Sequence, residues 1–172
     1  MTDFAAAFIR RDRTLFSLIN QKLRFRVFDS YFGAITNLGS TEFIILITCI
    51  LLYIQPADGE RMAANLLVSQ IIIHALKRII NRPRPYEIME CNLTSNPPEC
   101  VYSFPSGHSG ASLSTALVLS AAFPDLFAIV FFLAFSVSFS RIYLGYHFAS
   151  DVVAGLLISY LTFHFFPISI LF

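Results

Sequence analysis

Three short clusters in the chain hold residue types that could bind an anion and carry out nucleophilic chemistry on it. They are KRIINRPRP at 77–85, FPSGH at 104–108 and SRIYLGYHFASD at 140–151. Each lies at the end of an apolar stretch, and counting membrane crossings brings all three to the same side. Because ionisable groups are costly at such places, their convergence indicates a functional site.

Lys77, Arg84 and Arg141 bring three cations to this side. Only an anion with several acceptor oxygens could satisfy them together, and a phosphate has that chemistry. Ser106 and Gly107 lie where a helix should begin, so the free N–H groups of its first turn and the serine hydroxyl could donate to the same anion. The pattern therefore predicts a phosphate-binding site.

Two histidines and one carboxylate could supply the chemistry at that phosphate. His147 and Asp151 are spaced i, i+4, which on a helix places the carboxylate beside the imidazole. Asp151 could then hold the Nδ1–H group and leave Nε2 free to attack. His108 directly follows the predicted phosphate-binding turn. Each residue alone has an ordinary structural explanation, and it is the convergence that indicates catalysis.

The other ionisable residues near these clusters have simpler interpretations. We interpret His74 and His164 as packed or interfacial histidines, and Arg78 and Arg82 as solvated residues or lipid-headgroup contacts. Glu42 lies at the start of the first apolar stretch, where we expect a capping or interfacial role.

The three clusters resemble the signature of the type 2 phosphatidic acid phosphatase superfamily, Lys-x6-Arg-Pro, Pro-Ser-Gly-His and Ser-Arg-x5-His-x3-Asp, and every motif position matches over residues 77–151. The resemblance implies an enzyme that uses no metal and no cofactor. It implies that phosphate is bound by Lys77, Arg84, Ser106, Gly107 and Arg141. It also implies that His147 attacks phosphorus, that Asp151 orients it, and that His108 protonates the leaving oxygen.

The same resemblance implies a lipid phosphatase of the bacterial plasma membrane, because a lipid headgroup reaches an interfacial phosphate site most readily. Undecaprenyl diphosphate is the expected substrate, with phosphatidylglycerol phosphate, phosphatidic acid and a lipid A phosphate as open alternatives. Two remote alternatives are a vanadate-dependent haloperoxidase of the same superfamily and a non-catalytic membrane scaffold. The oligomeric state stays open.

The composition supports a membrane location. Of the 172 residues, 56% are hydrophobic and 13% are charged, and residues 101–172 carry only Asp125, Arg141 and Asp151 as charged side chains. These values exclude a disordered chain and a water-facing bundle. A net charge of +1 offers no broad basic face, so we expect no nucleic-acid partner.

Apolar stretches predict an all-α, polytopic transmembrane bundle with about five spanning helices. The stretches are residues 43–54, 63–80, 109–123, 126–144 and 152–166. Several are shorter than the roughly 20 residues that a membrane crossing needs. We therefore expect the first to begin near Ile35 and the last to run to Phe172. The whole chain, 1–172, is predicted to be one integral-membrane phosphatase domain whose catalytic bundle occupies 33–172.

Residues 4–32 are predicted to form an interfacial amphipathic helix. Apolar residues recur there at helical spacing: Phe8, Ile9, Leu15, Leu18, Ile19, Leu23 and Val27. The alternative, a sixth spanning helix, would place the charges of residues 10–13 in hydrocarbon at a cost of several kcal/mol.

Two observations conflict on which side of the membrane the site faces. Six of the twelve basic residues lie between Arg10 and Arg26, and the positive-inside rule would make that side cytoplasmic. However, an interfacial helix can bind either leaflet, and a disulfide between Cys91 and Cys100 would suit an oxidising exterior. Their spacing leaves free thiols equally open. Because the family's lipid-diphosphate phosphatases typically face outward, we expect an extracytoplasmic active site.

Overall fold

The computed structural model describes residues 3–93 and 101–166, and every regular element in these ranges is helical. The α-helices are α1 (Asp3–Ser17), α2 (Arg26–Ile35), α3 (Thr41–Ile54), α4 (Pro56–Ile80), α5 (Pro85–Ile88), α6 (Gly107–Ala122), α7 (Phe127–Tyr143) and α8 (Ala149–Phe165). A π turn at Leu18–Lys22 and a 3-10 turn at Thr36–Gly39 connect the first of them. The predicted all-α class is confirmed.

Helix α6 lies at the centre of the bundle and packs against α4, α7 and α8. Its residues 109–118 are all buried, and most are Gly, Ala, Ser or Thr. Such small side chains let helices approach closely. A Cβ atom at Gly155 of α8 would lie 2.3 Å from the carbonyl oxygen of Ser106, so this contact requires glycine. Nearby, Ser159 Oγ donates to the Gly110 carbonyl at 2.8 Å.

Local sequence explains where the helices near the clusters begin and end. Ser40 and Ser106 cap α3 and α6, and each side chain accepts a hydrogen bond from the backbone N–H three residues later. Helix α4 begins at Pro56, whose fixed φ suits a first helical turn. It ends at Ile80, and the capping residue Asn81 adopts the left-handed conformation with φ 49°. The chain is thereby redirected into residues 82–85.

The predicted apolar stretches coincide largely with α3, α4, α6, α7 and α8. In the described part of the chain, two segments are long and apolar enough to cross a membrane, Pro56–Ile88 and Pro124–Tyr143. A third crossing results if Arg26–Gly39 and Thr41–Ile54, bent by 53°, form one span. The count of five spanning helices is therefore not confirmed and stays a prediction. The expected extension to Phe172 lies outside the described residues.

The N-terminal segment is not the single helix predicted over residues 4–32. Helix α1 ends at Ser17, the π turn follows, and α2 begins at Arg26 after an irregular segment at 23–25. The 3-10 turn and α3 then continue from α2. Residues 26–32 therefore belong to the helix that leads into the bundle, and only the first part of the segment forms a separate helix.

The side of α1 that contacts the bundle is not its predicted apolar face. The side that contacts the bundle carries Asp12 and Phe16, and Phe16 packs against Phe148 with ring centroids 5.5 Å apart. Ile19 is buried, but most of the predicted apolar face is exposed: Phe8, Leu15, Leu18, Leu23 and Val27. Apolar side chains gain little by leaving lipid for protein, whereas a polar group needs a partner. The polar residue therefore faces inward.

Candidate active site

A cavity of about 700 Å³, lined by residues of α3, α4, α6 and α7, collects most of the residues singled out by the sequence. Its polar end is lined by Lys77, Arg84, Gly107, His108, Arg141 and His147. Ser106 and Asp151 lie behind this lining. Six of the eight predicted site residues therefore share one cavity, and the other two support its walls.

The three predicted cations are buried and make hydrogen bonds to neutral groups. These bonds run from Lys77 Nζ to the Tyr102 carbonyl (2.9 Å), from Arg84 Nη1 to the Tyr146 carbonyl (2.9 Å) and from Arg141 Nη1 to Thr36 Oγ1 (2.7 Å). No acidic side chain is found among the described residues that line the cavity. Three cations thus converge on a stretch of cavity wall whose described residues include no carboxylate, so this end of the cavity suits an anion.

Arg141 shows most clearly where such an anion would bind. Its guanidinium lies over the ring of Tyr146, 4.5 Å from the centroid. Its Nε atom is buried and has no hydrogen-bond partner among the described residues. Buried donors are nearly always satisfied in folded proteins. An oxygen of a bound phosphate would provide the acceptor.

His147 lies in the loop between α7 and α8, and the expectation that it shares a helix with Asp151 is wrong. Phe148 is the extended residue that precedes α8, so the helix starts only at Ala149. The pair still faces each other, with Nδ1 3.6 Å from Asp151 Oδ2. On the opposite side of the ring, Nε2 lies 3.4 Å from Arg84 Nη1. The imidazole therefore presents Nε2 to the cations.

The distance between Nδ1 and the carboxylate exceeds that of a hydrogen bond, and Nδ1 has no other partner in the described part of the chain. Catalytic hydrogen bonds are often long in the absence of substrate and shorten when it binds. The carboxylate therefore lies on the side of the ring opposite Nε2, which is where a residue that orients the imidazole would have to lie.

Burial, reinforced by the nearby cations Arg84, Arg141 and Lys77, holds the pKa of His147 well below its usual range. The neutral imidazole therefore persists to lower pH than for an ordinary histidine. A neutral Nε2 keeps the lone pair that an attack on phosphorus requires.

We expect ¹⁵N-histidine NMR of the free protein to show His147 neutral at pH 6.5 and protonated only at distinctly lower pH. Accordingly, the acid limb that this group contributes to a bell-shaped kcat/KM profile should lie below pH 6.5. A His147→Gln variant assigns the signal. A protonation midpoint at or above pH 6.5 would show that burial and the nearby cations do not lower the pKa of this ring.

Asp151 is fully buried at the start of α8 and is held by hydrogen bonds to both of its oxygens. Oδ2 accepts the Phe148 backbone N–H at 2.8 Å, and Oδ1 accepts from Arg82 Nη1 at 2.6 Å. The interpretation of Arg82 as a solvated or lipid-headgroup residue is therefore wrong, because it pairs with Asp151 and with Asp12. Arg78, in contrast, is exposed on α4.

His108 and Gly107 reach the cavity from the first turn of α6. The 3-10 turn before α3 passes directly over His108, since a Cβ atom at Gly39 would lie 3.2 Å from its side chain. The same atom would lie 2.7 Å from Val137 Cγ1. Gly39 therefore sets how closely this turn covers the histidine.

The Ser106 side chain does not line the cavity. Its Oγ accepts hydrogen bonds from the backbone N–H and the hydroxyl of Ser109, at 3.4 and 2.9 Å. Its backbone N–H donates to the Asp151 carbonyl at 2.9 Å. In this structure Ser106 therefore caps α6 and connects it to α8, and a direct bond from its hydroxyl to phosphate stays a prediction.

Several residues outside the motif positions also form the site: Thr36, Gly39, Gln70, His74, Tyr102 and Tyr146. His74, interpreted from the sequence as a packed or interfacial histidine, lines the cavity, with Nδ1 2.8 Å from the Gln70 carbonyl. Only Tyr146 carries a sequence signal, since it directly precedes a motif histidine. His164 lies outside the cavity against Tyr160.

Beyond the charged end, the cavity continues as an apolar groove between α3 and α4. Its walls include Ile44, Ile45, Cys49, Ala63, Leu66 and Leu67. Ala63 and Lys77 are fourteen residues apart on α4, which corresponds to about 21 Å of helix at about 1.5 Å per residue. A molecule with a phosphate at one end and a hydrocarbon chain at the other matches both parts.

Comparisons with known proteins agree with this geometry. A relative from Sulfolobus acidocaldarius, an undecaprenyl-diphosphatase, is 28% identical over 147 residues, which are 84% of this chain and 71% of that protein. The crystal structure of Aquifex aeolicus LpxE matches with a TM-score of 0.82 and 30% identity, covering 92% of this chain and 94% of that one. A PAP2 type phosphatidylglycerolphosphate phosphatase from Bacillus subtilis matches with a TM-score of 0.70 and 26% identity, covering 95% and 84%.

The family comparison extends over most of the chain. The model of the PAP2 superfamily matches residues 61–170, a range that contains all three clusters. The resemblance seen in the sequence motifs is thereby confirmed, and the chain belongs to the PAP2 superfamily.

Proposed function

We propose that the chain is an integral-membrane lipid phosphatase that works through a phosphohistidine intermediate. The observation that carries the proposal is one cavity that joins three buried cations and two histidines to a long apolar groove. A soluble phosphate ester would occupy the polar end alone, whereas a lipid phosphate would fill both parts. Two of the matching proteins, an undecaprenyl-diphosphatase and a phosphatidylglycerolphosphate phosphatase, support the same class.

In the proposed reaction, the three cations bind the phosphoryl oxygens and His147 Nε2 attacks phosphorus. The bond from phosphorus to the leaving oxygen breaks as the bond to nitrogen forms, and His108 gives that oxygen a proton. Asp151 orients the ring and stabilises its positive charge. Water then attacks the phosphohistidine while His108 takes up a proton, which releases phosphate and restores the free enzyme.

The positive charge of the site matches what this reaction needs. In phosphoryl transfer, the negative charge of the transition state is spread over three equatorial oxygens. Cations that the fold already holds in place stabilise this charge without reorganisation. The backbone N–H of Gly107 in the first turn of α6 can add a donor. For this reason we propose that no metal ion takes part.

Among lipid phosphates, we propose undecaprenyl diphosphate as the substrate and undecaprenyl phosphate as the product. The name of the Sulfolobus acidocaldarius relative supports this choice. Phosphatidylglycerol phosphate is the second candidate, because the matching Bacillus subtilis structure is a phosphatidylglycerolphosphate phosphatase. Phosphatidic acid and a lipid A phosphate complete the set to be compared.

Phosphate release by purified protein in detergent, measured with each of these lipids and with a soluble phosphomonoester, tests the proposal. The assay contains a chelator, because the fixed cations should make a metal unnecessary. We expect undecaprenyl diphosphate to give a kcat/KM at least about tenfold above the soluble ester, a difference of about 1.4 kcal/mol. Phosphate release from the soluble ester alone would contradict the lipid assignment. Fastest release from phosphatidylglycerol phosphate would identify that lipid, and not undecaprenyl diphosphate, as the preferred substrate.

The groove can be tested with two neighbouring substitutions on α3. Cys49 lines the groove and Ile50 does not, although both are exposed. Cys49→Phe should raise KM for the long-chain lipid several-fold and leave hydrolysis of the soluble ester unchanged, because only the chain needs the groove. Ile50→Phe should change neither value. Equal effects of the two variants, or equal effects on both substrates, would show that lipid does not use this groove.

We also propose that the site faces the exterior of a bacterial plasma membrane. Asp12 of α1 accepts the backbone N–H of Ser150 at the start of α8, which supports placing the basic N-terminal helix on the catalytic side. The argument for the exterior rests on Cys91 and Cys100. Cys91 is partly buried in the loop after α5. Cys100 lies outside the described residues, so their disulfide stays a prediction.

A membrane-impermeant thiol reagent applied to intact cells tests this orientation in a Cys49→Ser background. Burial raises the pKa of the Cys91 thiol, so the labelling is done at alkaline pH to form the thiolate. We expect labelling at Cys91 or Cys100, directly if they are free and after reduction if they are bridged. Labelling that requires permeabilised cells, with or without a reductant, would place the site in the cytoplasm.

A further inference from the structure

Asp12 points into the protein, unlike its neighbours Arg11 and Arg13, which are exposed. Its side chain retains only 5% of its accessible surface. A buried carboxylate is costly unless hydrogen bonds and opposite charge surround it. The partners of Asp12 therefore indicate why a charged residue is kept at this position.

The carboxylate of Asp12 connects α1 to the start of α8. Its Oδ1 accepts the backbone N–H of Ser150 at 3.1 Å, and its Oδ2 accepts from the hydroxyl of the same serine. Oδ2 also accepts from Arg82 Nη2 at 2.8 Å. N–H groups in the first turn of a helix have no partner within that helix. Asp12 thus caps α8 from a distant part of the chain.

Arg82 lies between Asp12 and Asp151. Its Nη1 donates to Asp151 Oδ1 at 2.6 Å and to Ser150 Oγ at 2.7 Å, while its Nη2 binds Asp12. The guanidinium also lies over the ring of Phe148, 4.2 Å from the centroid. A planar guanidinium held by these contacts restricts the orientation of the carboxylate that it binds.

The orientation of Asp151 in turn determines which of its two oxygen atoms faces His147. Arg82 binds Oδ1 and the Phe148 backbone N–H binds Oδ2, and together these two contacts leave Oδ2 facing Nδ1 of His147, at 3.6 Å. Asp12 also balances the positive charge of Arg82. Without that balance, Arg82 would weaken the attraction between Asp151 and the positive charge that forms on the imidazole during attack.

We propose that Asp12 and Arg82 are positioning residues for the nucleophile: Asp12 binds Arg82, Arg82 binds Asp151, and Asp151 faces His147 and orients it when substrate binds. This inference rests on the proposed phosphatase function. It makes the N-terminal helix α1 part of the active-site assembly as well as a membrane-surface element. Neither residue is a motif position of the superfamily signature, and neither lines the cavity.

Steady-state kinetics of Asp12→Asn and Arg82→Gln give the first test. We expect each to lower kcat about 10- to 100-fold, the effect typical of lost supporting contacts and small misplacements at a reacting group. KM should stay within about twofold, since substrate does not touch either residue. Arg82→Lys should also lose activity, because an ammonium cannot bridge two carboxylates as a guanidinium does. Unchanged kcat in Asp12→Asn and Arg82→Gln would overturn the proposal.

The controls are Arg13→Gln, which changes an exposed charge on the same helix, and Asp125→Asn, which repeats the Asp-to-Asn change at an exposed turn before α7. Both should keep wild-type kcat. Melting temperatures of all variants separate loss of fold from loss of positioning.

The decisive comparison places Asp12→Asn in an Asp151→Asn background and measures single-turnover rates. If Asp12 acts through Asp151, the second substitution should change the residual rate by less than about twofold. If Asp12 only stabilises the fold, the second substitution should again cost about 10-fold or more, and that result would overturn the proposal.

NMR spectra of His147 test the positioning role without relying on the proposed phosphatase activity. The ¹⁵N signals of His147 should change in Asp12→Asn and Arg82→Gln but not in Arg13→Gln, whether or not a lipid is hydrolysed. A wild-type protein that releases no phosphate from any lipid would defeat the proposed function, and the His147 signals would still decide the positioning role. Signals identical to wild type in both variants would overturn it.

Discussion

Replacing His147 with alanine is expected to lower kcat for lipid phosphate release by about 10⁴-fold or more, because in the proposed mechanism this residue supplies the atom that attacks phosphorus. His108→Ala should cost about 10²- to 10⁴-fold, the usual contribution of a general acid. KM should change little in either variant, since the cations that bind phosphate are retained. Initial rates of phosphate release from the preferred lipid measure both effects.

His164→Ala is the matched control, because this histidine lies on α8 outside the cavity and contacts Tyr160. It should retain wild-type turnover. Inorganic phosphate, which the cations can bind without a bond to His147, should stabilise His147→Ala and wild type against thermal unfolding to a similar extent if the phosphate site is intact. Wild-type turnover in His147→Ala would show that another residue, or water, attacks phosphorus.

Arg84→Gln is expected to lower kcat/KM by about 10²- to 10³-fold, the cost of removing one preorganised group that stabilises transition-state charge. The guanidinium lies beside Nε2 of His147 and lines the cavity, so it can contact the phosphoryl group during attack. Arg141→Lys should also be damaging, because lysine loses the contact with Tyr146 and the planar fork. Thermal stabilisation by vanadate should fall in parallel.

Arg78→Gln provides the control for this experiment. It removes the same charge from an exposed position next to Lys77 on α4 and should keep wild-type kcat/KM. If Arg84→Gln lost no more activity than Arg78→Gln, the cations would contribute only a general field, and the assignment of a phosphate site in this cavity would be wrong.

The site was more predictable from sequence than the membrane topology. The motif residues are chemically specific, and a cluster at each of three helix ends brings Lys77, His108 and His147 into one cavity. Thr36 and Gly39 could not be predicted in this way. They act through a backbone turn and a single hydroxyl, and neither residue type carries a spacing that indicates chemistry.

The role of α1 shows why hydrophobic periodicity misleads in a membrane protein. In water, the apolar side of a helix faces the protein, but beside lipid the apolar side can face outward at little cost. Asp12 therefore turns inward to Arg82 and Ser150, while Phe8 and Leu15 stay exposed. The pattern of apolar residues distinguishes the apolar side of such a helix from its polar side. It does not show which side packs against the bundle.

The number of membrane crossings was less predictable than the helices for a related reason. Helix α6 has 16 residues and α8 has 17, fewer than a crossing usually needs. Ten residues of α6 are buried by other helices and many of them are small, so its hydropathy reflects packing more than contact with lipid. The five apolar stretches mark helices correctly but do not establish that each helix crosses the membrane.

The proposed mechanism requires that a lipid phosphate phosphorylates His147. Rapid quenching of purified protein during turnover of ³²P-labelled undecaprenyl diphosphate, followed by peptide mapping under alkaline conditions that preserve phosphohistidine, tests it most directly. We predict acid-labile label on the peptide that contains His147 in wild type, and none in His147→Ala. Rapid phosphate release with no label on His147 at any quench time, or label on another residue, would contradict the mechanism.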